Sequence, residues 1–214
     1  MSRVAADLDA AEAAIDEAAA REPRLRVTEI FHSLQGEADA VGWPTVFVRL
    51  TGCPLRCVWC DTEYSFHGGE WRTIDAVLDE VAGHGARHVC VTGGEPLAQK
   101  RCLTLLRRLC DAGYEVSLET SGALDVSEVD ARVRKVVDLK APGSGESARN
   151  RWPNLAALRP HDQIKIVVAD RVLPVLEVYA KAVRRMGEVG SGQLTKMCNQ
   201  IAIAGVVQGV AEAL

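Results

Sequence analysis

Three cysteines within eight residues constrain this chain more than any other feature of its sequence. The segment GCPLRCVWCDT carries Cys53, Cys57 and Cys60 in a CxxxCxxC spacing, and the β-forming run VFVRL at residues 46–50 leads into it. The thiols are therefore predicted to lie on a loop at the carboxyl end of a strand, which is where α/β folds place their chemistry.

The number of thiols limits what this motif can bind. Thiolates select iron–sulfur clusters, zinc or copper(I). Structural zinc sites and electron-transfer [4Fe–4S] clusters each use about four protein ligands. This motif supplies three, and the nearest further candidate is His67. Three thiolates on a [4Fe–4S] cluster would leave one iron open to amine and carboxylate groups. A zinc site completed by a distant residue, or cysteines without a ligand role, are the alternatives.

The composition favours one globular domain. The chain has 214 residues, of which 48% are hydrophobic and 25% charged, enough for a sizeable core. The formal net charge of -4 gives no basic surface for nucleic acid. Seven cysteines with a clustered trio, and no recognisable signal peptide, predict a reducing cytoplasm. The longest apolar run, residues 201–207, is too short to cross a membrane.

Short apolar strands alternate with helical segments after the thiols. Helices are predicted over residues 73–83, capped by Thr73, and over 103–112. This alternation is typical of parallel β/α units, which bring the carboxyl ends of their strands to one face. Polar residues gather at those predicted ends, namely Thr92, Glu119, Ser121, Asp138 and Lys140. We therefore predict an α/β fold with its site on that face.

The CxxxCxxC spacing, with Trp59 beside the last cysteine, resembles the radical S-adenosylmethionine (SAM) family. In that family the open iron binds the methionyl end of SAM, and an electron from the cluster leaves a 5′-deoxyadenosyl radical. The segment TGGEP at residues 92–96 strengthens the resemblance. Its glycines expose backbone groups, Glu95 adds an acceptor, and a segment of this type contacts the SAM amino group in the family.

A closer resemblance, to the 7-carboxy-7-deazaguanine synthase family, covers about residues 25–171. It is carried by five segments in order: SLQGE at 33–37, RLTGC at 49–53, CDT at 60–62, TGGEP at 92–96 and LETSG at 118–122. It implies an incomplete radical-SAM-type (β/α) barrel of about five parallel strands. It also implies conversion of 6-carboxy-5,6,7,8-tetrahydropterin to 7-carboxy-7-deazaguanine with loss of ammonia, in queuosine and 7-deazapurine biosynthesis.

The resemblance assigns roles to individual positions. Three residues would hold the [4Fe–4S] cluster: Cys53, Cys57 and Cys60. Six would contact SAM: Trp59, Cys60, Asp61, Gly94, Asp138 and Lys140. Five would contact the pterin: Leu34, Gln35, Gly36, Arg49 and Thr92. Thr62 would ligate Mg²⁺, which prefers hard oxygen donors, although Asp61 or Thr62 could instead cap a helix. The guanidinium of Arg49 suits the pterin carboxylate.

The family resemblance further implies that the reaction begins with hydrogen-atom abstraction from C6 of the pterin, while Mg²⁺ positions the substrate carboxylate. No catalytic side chain beyond the cluster and SAM is assigned. We expect an electron donor such as flavodoxin or ferredoxin, and we expect the protein to form a homodimer. We expect no nucleic-acid partner and no membrane partner.

Both ends of the chain are predicted to be helical extensions. Residues 1–24 are a helical or disordered leader, rich in alanine and acidic residues. Residues 172–214 form a helical tail, and the part from Pro174 resembles 3-hydroxyisobutyrate-type dehydrogenases, with Lys196 and Asn199 at that family's catalytic positions. No GxGxxG dinucleotide fold precedes them, so we expect no dehydrogenase activity.

Two alternatives to the pterin lyase remain at this stage. One is a radical SAM activase that generates a glycyl radical in a partner protein. The other is an inactive chimera that only binds a cluster or zinc: the resembled family continues after about residue 171 with a further β/α unit and a last strand, and the dehydrogenase-like tail in their place is expected to impair closure of the barrel. Dependence on a protein partner, and the brown colour of an iron–sulfur cluster, would separate these readings.

Overall fold

The computed structural model describes residues 23–167. The two helical extensions, with Lys196 and Asn199 of the dehydrogenase-like segment, lie outside the described residues apart from the end of the leader. The division into leader, core and tail stays a prediction.

In this described part of the chain, seven strands form one mixed sheet in the order β3-β1-β2-β4-β5-β6-β7. Their bounds are β1 Arg24–Leu34, β2 Pro44–Leu50, β3 Glu70–Thr73, β4 His88–Gly93, β5 Glu115–Thr120, β6 Arg134–Asp138 and β7 Gln163–Lys165. The prediction of parallel strands is confirmed for β2, β4, β5, β6 and β7, each of which pairs in parallel with the next in the sheet. These are five strands, as expected; β1 lies outside that series and runs antiparallel to β2 and β3. The connection over residues 35–43 is too short for the crossover of about a dozen residues that a parallel pair needs.

Among residues 23–167, two α-helices cover one face of the sheet. Helix α1 spans Ile74–Gly83 and begins as predicted, because the Thr73 hydroxyl accepts a hydrogen bond from the amide of Ala76 at 3.1 Å. Helix α2 spans Cys102–Asp111. The crossovers after β5 and β6 contain no α-helix within the described chain. In the second of them, proline and glycine residues over 142–153 interrupt the backbone, and only 3₁₀ turns form.

The two faces of the sheet differ in chemistry. Alternate residues of the central strands are apolar and pack against α1 and α2, including Val48, Val91 and Leu118, which are fully buried. The intervening residues, such as Arg49, Thr92 and Glu119, face the opposite side. The sheet therefore keeps an apolar core on one face and leaves a polar face for the candidate site.

A buried ion pair fixes the segment that leads into β7. The side chains of Lys135 and Asp162 are 1% and 0% exposed, and Nζ lies 2.7 Å from Oδ2. Asp162 also accepts hydrogen bonds from the amides of Lys135 and Arg159, both at 2.8 Å. Burial alone would raise the pKa of Asp162, but these bonds outweigh it and lower the pKa.

We expect Asp162→Asn to lower the free energy of unfolding by about 3 kcal/mol at neutral pH, because it leaves the buried Lys135 ammonium without its counter-charge. Urea unfolding measures this loss. Since the folded pKa of Asp162 lies below its unfolded value of about 3.9, its stabilisation is present above that pH. It is lost as the pH falls through the folded pKa, so the difference between the two proteins shrinks in acid. Equal unfolding midpoints at neutral pH would show that the pair does not stabilise the fold.

Candidate active site

The three cysteines lie on one loop that directly follows the carboxyl end of β2, as predicted. We call residues 51–62 the cysteine loop. All three thiols are half-buried and in the reduced state. Because β2 pairs in parallel with β4, Leu50 stands beside Gly93 in the register. The cysteine loop and the TGGEP turn therefore leave the sheet side by side.

The thiols are close enough to influence one another. Burial raises the pKa of Cys53 and of Cys57, and the Cys60 thiol raises both further. The ammonium of Lys140 opposes this rise for Cys57, but its pKa remains raised overall. Three thiolates at this place therefore need a cation to neutralise them, which is the chemistry of a metal cluster. The donor set of thiols fits an iron–sulfur cluster.

Within residues 23–167, no three histidine, cysteine, aspartate or glutamate side chains are arranged around a single-ion site. A [4Fe–4S] cube differs from a single ion because it takes each cysteine on a separate iron. Its thiolates therefore stand further apart than the ligands of one zinc ion.

The two glycines of the TGGEP turn let the cysteine loop approach β4 closely. A Cβ on Gly94 would lie 2.5 Å from the carbonyl oxygen of Gly52 and 2.7 Å from Cβ of Cys53. A Cβ on Gly93, whose φ is 153°, would lie 2.2 Å from the carbonyl oxygen of Leu50. Only glycine fits at these positions. Gly94 thus sets where Cys53 stands, in addition to the contact with SAM predicted for it.

Glu95 is buried and bonded to the protein itself. Its carboxylate accepts hydrogen bonds from the Leu97 amide at 3.0 Å, from the Thr120 hydroxyl at 2.9 Å, and from the amide and hydroxyl of Ser121. Its own amide donates to the carbonyl of Gly52 at 2.8 Å. Glu95 therefore ties β5 and the cysteine loop to the end of β4, and its carboxylate is engaged by this scaffold.

Two of the predicted pterin residues meet at Glu119. The Gln35 amide donates to Oε1 of Glu119 at 3.1 Å, and the Thr92 hydroxyl donates to Oε2 at 2.9 Å. The sequence pattern placed Glu119 among the polar strand ends and gave it no role. Its place in the LETSG segment was the available signal, but its two partners come from the loop after β1 and from β4, far from it in the sequence. Leu34 ends β1, and Gly36 follows Gln35 in the loop.

Arg49 lies beside Thr92 in the register of β2 and β4. Its Nε donates to Oε1 of Glu29 at 2.7 Å, and its guanidinium carbon lies 5.7 Å from the centre of the Tyr64 ring. A guanidinium has five N–H donors, so this bond leaves capacity for a substrate carboxylate. The ion pair with Glu29 and the ring contact hold Arg49 in place before any ligand binds.

Thr62 stands next to a cysteine of the cluster motif. Its Oγ1 lies 3.7 Å from Sγ of Cys60. Thr62 precedes the 3₁₀ helix Glu63–Phe66, but its side chain makes no capping hydrogen bond to that helix. The role of Thr62 as a helix cap, one of the alternatives above, is therefore wrong. Asp61 lies between Cys60 and Thr62 on the exposed side of the cysteine loop.

The remaining predicted SAM residues join the cysteine loop to the segment after β6. The ring of Trp59 packs on Gly143, where an added Cβ would lie 2.8 Å from ring carbon Cη2. The amide of Val58 donates to the carbonyl of Ser144 at 3.0 Å. Asp138 ends β6, and its Oδ2 lies 3.3 Å from Nζ of Lys140. The structure thus gathers the predicted SAM residues around the three thiols.

We expect Gly94→Ala to reduce the iron and sulfide that the protein takes up on reconstitution, because the added methyl group displaces Cys53. Overpacking of this kind costs about 1–3 kcal/mol of stability. Iron and sulfide analysis with the visible absorption spectrum measures the loss. Gly83→Ala is the matched control, since a Cβ at that position meets nothing within 4 Å. A Gly94→Ala protein with a full cluster would contradict the close packing described above.

Comparison with known proteins agrees with this geometry. The model of the radical SAM superfamily matches residues 47–151. The 7-carboxy-7-deazaguanine synthase of Koribacter versatilis is 49% identical over 151 residues, 69% of this chain and 66% of the relative. Those of Chlorobaculum tepidum and Thermoplasma acidophilum are 46% and 39% identical, over 69% and 71% of their own lengths. The chain thus spans about two thirds of these relatives.

A solved structure shows the same fold. The crystal structure of QueE from Escherichia coli superposes with a TM-score of 0.59 at 26% identity, over 75% of this chain and 80% of that one. No helix among residues 23–167 has the length and apolarity to span a membrane. From the motifs, the arrangement of the site and these relatives, the chain belongs to the 7-carboxy-7-deazaguanine synthase family within the radical SAM superfamily.

Proposed function

We propose that this protein is a radical SAM lyase that converts 6-carboxy-5,6,7,8-tetrahydropterin to 7-carboxy-7-deazaguanine with loss of ammonia, a step of queuosine and 7-deazapurine biosynthesis. The names of its relatives support this function. The observation that carries it is the arrangement of the site. The cysteine loop leaves the sheet beside Thr92, and Thr92 shares Glu119 with Gln35.

The cysteine loop would bind the cluster and SAM. Cys53, Cys57 and Cys60 would hold a [4Fe–4S] cluster with one iron left open. When bound, the cluster and SAM supply the 5′-deoxyadenosyl radical that removes a hydrogen atom from the pterin. Asp138 and Lys140 present opposite charges 3.3 Å apart in the electrostatic neighbourhood of Cys57, which suits the zwitterionic end of SAM. Trp59, Asp61 and the backbone of Gly94 would complete that contact.

The pterin would lie on the polar face of the sheet. Gln35, Thr92 and Glu119 offer an amide, a hydroxyl and a carboxylate, which match the donors and acceptors of an aminopyrimidinone ring. Arg49 would pair with the substrate carboxylate. The backbone of Leu34 and Gly36 would line the ring. Placing a carboxylate beside Arg49 would orient the reacting carbon toward the cysteine loop.

A magnesium ion would bind near the junction of these two regions. The Thr62 hydroxyl is a hard oxygen donor that makes no capping bond, and it lies beside Cys60. Mg²⁺ would usually keep several waters and accept the substrate carboxylate as a further ligand. In this role the ion would hold the pterin carboxylate, and the ion and Arg49 together would neutralise its negative charge.

Three further features belong to the same proposal. Reduction of the cluster would require an electron donor such as flavodoxin or ferredoxin. The active form would be a homodimer. The reducing cytoplasm would suit both the cluster and the free thiols Cys90, Cys102 and Cys110.

An anaerobic assay tests this function directly. The full chain is reconstituted with iron and sulfide and supplied with SAM, a reductant, Mg²⁺ and the pterin, and the deazaguanine is followed by mass spectrometry. We expect product without any partner protein, and a lower rate without Mg²⁺. Cys57→Ala should abolish product. Cys110→Ala, which removes a half-buried thiol of α2, is the control and should retain it.

The other outcomes of this assay separate the alternatives. Cleavage of SAM without deazaguanine would contradict the proposed substrate, and turnover only with an added protein would favour an activase. A protein that takes up no cluster would be the inactive chimera.

A further inference from the structure

We infer that Lys165 is a positioning residue: it ties the pterin loop to the SAM end of β6 and so couples the two halves of the site. We call residues 35–43, between β1 and β2, the pterin loop. The inference rests on the proposed function, because that function assigns the pterin to Gln35 and SAM to Asp138. Nothing in the sequence pattern singled out Lys165 or Glu37 for this role.

The contact spans strands that are not neighbours in the sheet. Strands β1 and β7 are separated by β2, β4, β5 and β6, a distance of about 24 Å in a flat sheet. Yet Nζ of Lys165 lies 2.6 Å from Oε2 of Glu37, and the amide of Asp39 donates to Oε1 of Gln163 at 3.0 Å. The sheet therefore curves into a partial barrel. The pterin loop crosses its open side and is joined to β7 by side chains rather than by strand pairing.

Lys165 connects two acidic residues from opposite sides of the site. Its Nζ lies 3.3 Å from Oδ2 of Asp138, which itself lies 3.3 Å from Nζ of Lys140. The four side chains form a row of alternating charge that runs from the pterin loop to the segment beside the cysteine loop. Burial alone would lower the pKa of Lys165, but Glu37 and Asp138 outweigh it and raise the pKa above its usual range. The side chain stays protonated.

The row of charges ends at the amide of Gln35. The backbone amide of Glu37 donates to Oε1 of Gln35 at 3.1 Å, and Nε2 of Gln35 donates to Glu119. Where Glu37 is held therefore fixes which way the Gln35 amide points. At the other end, the backbone of Lys165 belongs to the ladder between β6 and β7, and its carbonyl accepts from the amide of Leu139 at 2.8 Å. The β6–β7 ladder thus fixes the backbone of Lys165, and the Lys165 side chain in turn fixes the position of the pterin loop.

This arrangement would let Lys165 keep the SAM residues and the pterin residues in place at the same time. With the connection intact, SAM is held at Asp138 while Gln35 is in place for the pterin. Without it, the pterin loop would move independently of β6 and β7. SAM would then be cleaved more often without conversion of the pterin.

The test uses the full chain with Lys165→Met, Glu37→Gln and both changes together. Methionine keeps most of the aliphatic stem and removes the charge, and glutamine keeps the shape of Glu37. We expect each single variant to raise the KM for the pterin about tenfold with a smaller effect on the KM for SAM, since a lost charge-assisted bond is about this large. The ratio of 5′-deoxyadenosine to deazaguanine should rise. The double variant should be no worse than the single ones.

A second readout does not depend on the cluster or on activity. Hydrogen exchange followed by mass spectrometry should show faster exchange of the pterin loop amides in each variant, by about tenfold or more, with β4 and β5 unchanged. Arg108→Gln is the control, because Arg108 pairs with Asp75 on the exposed surface of α2 and α1. It should leave exchange of the pterin loop and the product ratio unchanged.

Unchanged hydrogen exchange of the pterin loop in both single variants would overturn the inference. So would a double variant in which the effects of the two single variants on the KM for the pterin add up. If Lys165→Met does not fold, Glu37→Gln removes the charge on the other side of the same ion pair and decides the question. A wild-type chain that makes no deazaguanine would contradict the proposed function, while the exchange measurement would still show whether Lys165 holds the pterin loop.

Discussion

The candidate site depends on one contact, in which the turn after β4 packs against the base of the cysteine loop. Gly94 lies where any side chain would strike Gly52 and Cys53, and the amide of Glu95 donates to the carbonyl of Gly52. The carboxylate of Glu95 then reaches across to Thr120 and Ser121 at the end of β5. Burying a carboxylate is costly unless donors surround it, and here the donors come from the neighbouring strand end. The ends of β2, β4 and β5 are therefore held together by direct packing and hydrogen bonds.

The division of the sheet into two faces explains how a small chain can carry so many polar groups in its site. The apolar face, with α1 and α2, supplies the core. The polar face then needs to be stabilised by pairing its own charges, as Arg49 does with Glu29 and Lys165 with Glu37. These pairs are partly buried, so solvent screens them less than surface pairs. The same bonds that satisfy the charges also orient the side chains that would meet SAM and the pterin.

Local patterns in the sequence predicted the features that depend on local chemistry. The spacing of Cys53, Cys57 and Cys60 and the strand before them predicted the cysteine loop, and Thr73 predicted the start of α1. What could not be predicted depends on residues far apart in the chain. The antiparallel direction of β1 follows from the length of one connection. The crossovers after β5 and β6 form no α-helix in the described chain and are instead joined to each other, since the Asn154 amide donates to the carbonyls of Gly122 and Leu124. The bonds of Glu95, Glu119 and Lys165 link segments separated by 25 or more residues, so no short motif contains them.

The measurement that tests this account most directly is the electron paramagnetic resonance spectrum of the reduced, reconstituted protein with and without SAM. The central claim is that three thiolates hold a cluster with one open iron beside the SAM residues. The account predicts about four irons per chain and a spectrum that changes when SAM is added, because SAM would bind the open iron. A spectrum that SAM leaves unchanged, or a colourless protein that holds zinc in place of iron, would contradict the claim.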